Sequence, residues 1–201
     1  VIVRHYKTDW WGERASPWLD DPPFSDPDPL PCLDWLLDAE SAGEVLVVNP
    51  FGSMLAQDKR SMALLWEHIE AFSPEVQRTV REVLPPTYKV ETVGRSRLVQ
   101  ERESWVLKSD FGCEGEEVVV GNRVAAAEWE ATLDVLVPGR WVAQRRFDVE
   151  PLPTGELPNY GIYLMGGRCV GLYVRVHPAA SLTDIPSTVA TPMGRRHAAG
   201  A

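Results

Sequence analysis

Trp105-Val-Leu-Lys-Ser-Asp-Phe-Gly-Cys-Glu-Gly-Glu-Glu-Val-Val-Val-Gly121 joins two apolar runs through an acidic segment interrupted by glycines. The runs read as two strands, and Lys108 stands near the end of the first. Its ammonium supplies a point charge. Gly112 and Gly115 admit backbone conformations closed to other residues, so that consecutive N–H groups can converge on an anion. The arrangement suits a polyphosphate; a β-hairpin closed by a glycine turn accounts for the same residues.

Composition limits what the other segments can mean. At 201 residues with 44% hydrophobic side chains, the chain can bury a core in one or two domains. Twenty basic against twenty-nine acidic residues give a net charge of −9. Such a surface repels nucleic acid and anionic lipid as a whole, so any anion site must be local. Cys32, Cys113 and Cys169 are odd in number and far apart, which argues against a disulfide framework or a zinc site and fits a reducing, cytoplasmic setting. No apolar run approaches the roughly 20 residues that span a bilayer. The chain opens at Val1 inside what reads as a strand, so it is expected to be part of a longer protein.

Working outward, residues 1–6 read as a strand, followed by an aromatic stretch with Trp10, Trp11 and Trp18 that suits a core or an interface. Residues 20–31 are crowded with Pro and Asp, which is loop chemistry. Residues 33–39 predict a short helix, 44–48 a buried strand and 49–52 a turn. A helix is expected over 57–72, with an apolar stripe through Met62, Leu65, Trp66 and Ile69. A second helix is expected over 74–83, ended by Pro85-Pro86, while 88–102 is ambiguous. Residues 125–136 show helical spacing through Ala126, Trp129, Leu133 and Leu136. Three antiparallel strands are expected over 140–149, 160–165 and 168–176, the last two joined by a Gly166-Gly167 turn. The tail from Pro186 reads as loose.

Lys59 falls in the first turn of its expected helix, where a cation opposes the helix dipole, so something negative is expected nearby. A lysine snorkelling past Trp66 to solvent fits equally well. On the last strand, alternation puts Cys169, Gly171, Tyr173, Arg175 and His177 on one face and Val170, Leu172, Val174 and Val176 on the other. His177 is expected at the surface. Arg175, beside the open face at Gly171, suits a phosphate or carboxylate, which a guanidinium grips through two parallel hydrogen bonds. No Gly-x-x-x-x-Gly-Lys-Ser/Thr loop, no Gly-x-Gly-x-x-Gly helix start and no serine in a nucleophile elbow is present. Lysines from separate elements plus a glycine loop over an antiparallel sheet remain, which is the logic of ATP-grasp enzymes.

Four segments, in order, carry a more specific resemblance, and the opening strand adds a fifth. Asn49-Pro-Phe-Gly through Asp58-Lys59 to Leu65-Trp66 resembles the proline-then-Asn-Lys-x-x-x-x-x-Leu-Trp segment of the glutathionylspermidine synthase family. Lys108-Ser-Asp-Phe-Gly-Cys-Glu-Gly115 is similar to its Lys-Pro-x-x-Gly-Arg-Glu-Gly loop, with Cys113 in place of arginine. Trp141-Val-Ala-Gln144 is similar to its hinge, and the segment from Gly161 to Arg175 to its strand pair ending in a functional arginine. Val1 to Trp11 is similar to its Val-x-x-Arg-x-Tyr-x-x-Glu-Trp strand, with Asp9 for Glu.

The resemblance implies a circularly permuted ATP-grasp fold of the α+β class, with antiparallel sheets and flanking helices around an interdomain nucleotide cleft. A lobe over 1–85 would carry Lys59, a lobe over 86–185 would carry the lysine strand, glycine loop and hairpin, and 186–201 would be a tail. It implies ATP and Mg²⁺ as cofactors, Lys59 and Lys108 on phosphates or adenine, and Gly112 and Gly115 in a mobile loop over the phosphates. Gln144, Arg145, Arg146 and Phe147 would line the adenine pocket, and Arg175 would be catalytic. The four loop carboxylates, Asp110, Glu114, Glu116 and Glu117, are expected to point outward. The family's magnesium ligands belong to an upstream segment, so no metal ligand is assigned within this chain. The implied reaction is ATP-dependent joining of a small-molecule carboxylate to an amine through an acylphosphate, without nucleic-acid or membrane partners. A non-catalytic nucleotide-binding module and a partner-binding domain remain as alternatives.

Overall fold

Trp105–Ser109 alternates between full and partial burial, as a strand must when only one of its faces meets a core. The computed structural model describes residues 1–4, 30–111, 117–177 and 191–192. In it this strand, β4, belongs to a four-stranded antiparallel sheet of order β3-β6-β4-β5, with β3 at Thr87–Lys89, β5 at Val118–Val120 and β6 at Trp141–Arg145. The expected hairpin is therefore present. Its strands pair Val106 with Val120 and Lys108 with Val118.

The two faces of this sheet differ in chemistry. On one, Trp105, Leu107 and Ala143 pack with Leu98 of helix α6 (Arg95–Gln100) and Trp129 of α7 (Ala126–Val135), all fully buried. Burying each leucine here stabilises the fold by about 1.5–3 kcal/mol. The Trp129 indole N–H donates to the Leu98 carbonyl at 3.0 Å, so the large ring brings no unsatisfied donor into the core. The opposite face runs in two rows across the strands. Thr87, Gln144 and Val106 form one, and Lys89, Val142 and Lys108 the other. Helix α3 (Arg60–Glu67) lies against β3 and β6, and its Glu67 carboxylate holds the Lys89 ammonium at 3.0 Å. The polar face is thus partly roofed by a helix.

The helix expected over 57–72 is broken in two places. Helix α2 (Met54–Gln57) stops at Asp58, which is extended, and α3 ends at His68 before a short 3₁₀ turn over Ile69–Ala71. The Asp58 carboxylate accepts the Arg60 N–H at 2.7 Å, so a capping side chain restarts the helix where periodicity alone runs through. Helix α4 (Pro74–Val83) matches its expected bounds: the Ser73 hydroxyl accepts the Val76 N–H at 3.4 Å and Pro74 occupies the first turn. The ambiguous stretch after β3 resolves into two short helices, α5 (Val90–Val93) and α6, hinged at Gly94 with φ 82°.

Near the N-terminus, β1 (Ile2–Val3) pairs in parallel with β2 (Val47–Val48), so the sheets are not all antiparallel. Helix α1 (Leu30–Ser41) is longer than the expected 33–39. The Trp10, Trp11 and Trp18 cluster lies outside the described residues. A third, antiparallel sheet has the order β7-β8-β9, with β7 at Leu157–Met165, β8 at Arg168–His177 and β9 at Thr191–Pro192. Gly166 and Gly167, at φ 56° and 72°, make the tight turn between its long strands. Gly161 is required in β7, because a Cβ there would meet the Tyr173 ring at 1.8 Å. The expected grouping of 140–149 with these two strands does not hold. Val142, Ala143 and Gln144 are all buried, which makes β6 a central strand of the first sheet. The fold is thus a mixture of helices and mainly antiparallel sheets. Among the described residues no helix is long and apolar enough to cross a membrane.

Candidate functional site

Alternation on β4 turns Lys108 away from the Trp105 core and onto the polar sheet face. Its ammonium donates to the Gln144 side-chain oxygen at 2.7 Å, across the diagonal between adjacent strands. Gln144 is itself buried, and its amide nitrogen donates to the Thr87 hydroxyl at 2.9 Å. Among the described residues no carboxylate pairs with Lys108. Its pKa is pulled below the ordinary lysine value, first by burial and then by the charge of Lys59.

Lys59 reaches this place from the start of α3. Its backbone N–H and its ammonium both donate to the Asp110 carbonyl, at 3.0 and 3.3 Å. The negative partner expected for a cation at this helix start is thus in part a backbone oxygen just past β4. Asp110 does not point outward: it is 5% exposed and its carboxylate pairs with the Arg140 guanidinium at 2.6 Å. Its other oxygen accepts the Phe111 N–H at 2.8 Å, while the Asp110 N–H donates to the Arg140 carbonyl at 2.9 Å. These bonds pin the first residues of the glycine loop. Gly112 and Gly115 lie outside the described residues, as do Cys113, Glu114 and Glu116.

The structure therefore brings Lys59, Lys108 and Gln144 together, and leaves other candidates elsewhere. Arg145 follows Gln144 on β6 and takes the opposite face, where its guanidinium lies 3.9 Å from the Trp105 ring centroid and 2.6 Å from the Glu101 carboxylate. Its side chain completes the core side of the sheet. The Arg146 guanidinium is occupied by the Asp148 carboxylate and by the Glu103 carbonyl, the latter at 3.2 Å. Phe147 is 60% exposed and walls a groove of about 920 Å³ together with Leu152, Leu157, Tyr160 and His177. Arg175, on β8, places its guanidinium 5.6 Å from the Tyr173 ring centroid, on the third sheet. His177, expected at the surface, is 7% exposed, because β8 runs on to pair it with buried Leu157.

Three participants had no legible signal. Thr87 lies between the Pro85-Pro86 stop and the ambiguous segment, Asp110 reads as one of several loop acids, and Arg140 sits at a strand boundary. Only the register of β3, β4 and β6 joins them to Lys108. Among the described residues no group of three or more His, Cys, Asp and Glu side chains could hold a metal ion. Comparison with protein-family models and with curated proteins finds no match.

Proposed function

We propose that this chain is the ATP-grasp portion of a carboxylate–amine ligase of the glutathionylspermidine synthase type, acting in the cytoplasm. The observation that carries the reading is that Lys59, at the start of α3, stands close enough to act on the charge of Lys108 on the polar sheet face of an acidic protein. A half-buried ammonium whose protein partner is a neutral amide is stabilised by an arriving anion, because the ligand supplies the charge that the protein leaves out. A polyphosphate can engage both lysines at once. Lys59 and Lys108 would orient the phosphates and offset the charge that spreads over the transferred phosphoryl oxygens.

In this reading the groove at Phe147, three residues beyond Gln144, takes the adenine ring against an apolar wall. Arg175 would grip the substrate carboxylate or the transferring phosphoryl group. The Arg145 and Arg146 side chains, held by Trp105, Glu101 and Asp148, would contribute to the hinge instead of contacting the base. The described residues supply no ligand cluster that fits a magnesium ion.

Calorimetric titration with Mg-ATP, followed by phosphate-release assays over a panel of carboxylates and polyamines, tests the proposal. Saturable binding that needs Lys108, with turnover dependent on both co-substrates, is the expected result. Binding without turnover leaves a nucleotide-binding module, and the absence of binding leaves a domain that serves a partner.

A further inference from the structure

Three hydrogen bonds behind Lys108 all run in one direction. The Lys108 ammonium donates to Gln144 Oε1 at 2.7 Å, Gln144 Nε2 donates to Thr87 Oγ1 at 2.9 Å, and the Thr87 hydroxyl donates to the Pro85 carbonyl at 2.9 Å. The direction is dictated at both ends. An ammonium has no acceptor and a proline carbonyl has no donor. Because Thr87 gives its only proton to Pro85, it can only accept from Gln144, and that makes the amide present its oxygen to Lys108.

We infer that Thr87 is a positioning residue for Lys108: acting through Gln144, its hydroxyl fixes which end of the amide meets the ammonium. Thr87 has no exposed surface, so a ligand on the sheet face does not reach it directly. Without the hydroxyl, Gln144 Nε2 loses its acceptor inside the fold, and rotation of the amide brings N–H groups toward a cation. A hydrogen bond to the charged form of Lys108 is then lost, so its pKa falls further. The surrounding charges are untouched by such a change. They are Lys59 at the start of α3, the Asp110–Arg140 pair between β4 and β6, the Glu67–Lys89 pair where α3 meets β3, and Glu117 ahead of β5. The effect on nucleotide binding rests on the function proposed above, whereas the effect on Lys108 does not.

The test compares Thr87→Val, which keeps the shape and removes the hydroxyl, with Thr87→Ser, which keeps the hydroxyl. Competitive acylation followed by peptide mass analysis across pH reads the protonation of Lys108 alone in the ligand-free 201-residue chain. Lys108 of the valine variant is expected to become reactive at lower pH than wild type, while the serine variant superimposes on wild type. Mg-ATP affinity at pH 8 should fall roughly tenfold in the valine variant only, about 1.4 kcal/mol. If circular dichroism shows that Thr87→Val does not fold, Gln144→Met breaks the chain one link nearer and must give the same displacement. A Lys108 profile identical to wild type in the folded valine or methionine variant overturns the inference. A displaced profile with no Mg-ATP binding by any variant, wild type included, upholds the relay and removes the nucleotide reading.

Discussion

Replacing Lys108 with methionine separates ligand binding from fold stability, because the two effects act through different atoms. In the ligand-free chain the substitution removes a desolvated charge that stands near Lys59, which stabilises, and strips Gln144 Oε1 of its donor, which costs about 1–3 kcal/mol. These oppose each other, so the net change in unfolding free energy is expected to stay within about 1 kcal/mol. Nucleotide binding has no such offset. Loss of a charge-assisted hydrogen bond to phosphate costs about 1.5–3 kcal/mol, or roughly 10- to 150-fold in Kd. Isothermal calorimetry with Mg-ATP, paired with urea unfolding of the same samples, reads both quantities.

The pH dependence supplies a second arm. The folded pKa of Lys108 lies below its unfolded value of about 10.4. Between those two values the unfolded chain holds a proton that the folded chain has released, so stability rises with pH across that window. Below the folded pKa both states are charged and the penalty is fully present. Nucleotide affinity runs the other way, falling as pH climbs through the folded pKa. Lys108→Met should flatten both slopes. Unchanged affinity in the variant, or a wild-type profile without the two opposed slopes, refutes the assignment of Lys108 as the phosphate lysine.

Arg175→Lys is expected to lower kcat in the phosphate-release assay far more than it alters ATP affinity, since a lysine cannot reproduce a two-point grip on a planar oxyanion; equal turnover removes Arg175 from the chemistry. Hydrogen exchange over residues 109–117 should slow when Mg-ATP binds, and identical protection with and without nucleotide would show that the loop does not close on it. Burial raises the Glu67 carboxyl, but hydrogen bonds from the Lys89 backbone and ammonium and from Thr92 hold it below its ordinary value overall. Its contribution is therefore present above the unfolded value of about 4.3 and is lost as pH falls through the lower folded pKa. Glu67→Gln should cost about 1 kcal/mol at neutral pH and blunt that acid loss, with urea midpoints at pH 3 to 7 as the check. Trp129→Phe orphans the Leu98 carbonyl and leaves a small void, so the urea midpoint should fall by the equivalent of about 1–3 kcal/mol; an unmoved midpoint would mean that the indole bond adds nothing.

Local signals in the chain were enough for α4 and for the turn between β7 and β8. Ser73-Pro74 and Pro85-Pro86 bracket α4, and Gly166-Gly167 sets the β7–β8 turn. Such features depend on backbone sterics and on contacts a few residues apart, which a sequence displays directly. Tertiary structure decided the rest. Gln144 and Arg145 are both polar neighbours on β6, and alternation says only that they point opposite ways; the pairing of Thr87 with Gln144 and of Leu107 with Ala143 determines that Gln144 joins Lys108 while Arg145 covers Trp105. The helix expected over 57–72 runs through the break at Asp58, because helical period is blind to a side chain that caps its own backbone. His177 reads as a surface residue until β8 extends beside Leu157. Register and burial are properties of strands brought together from distant parts of the chain, and so neither can be read from one strand alone.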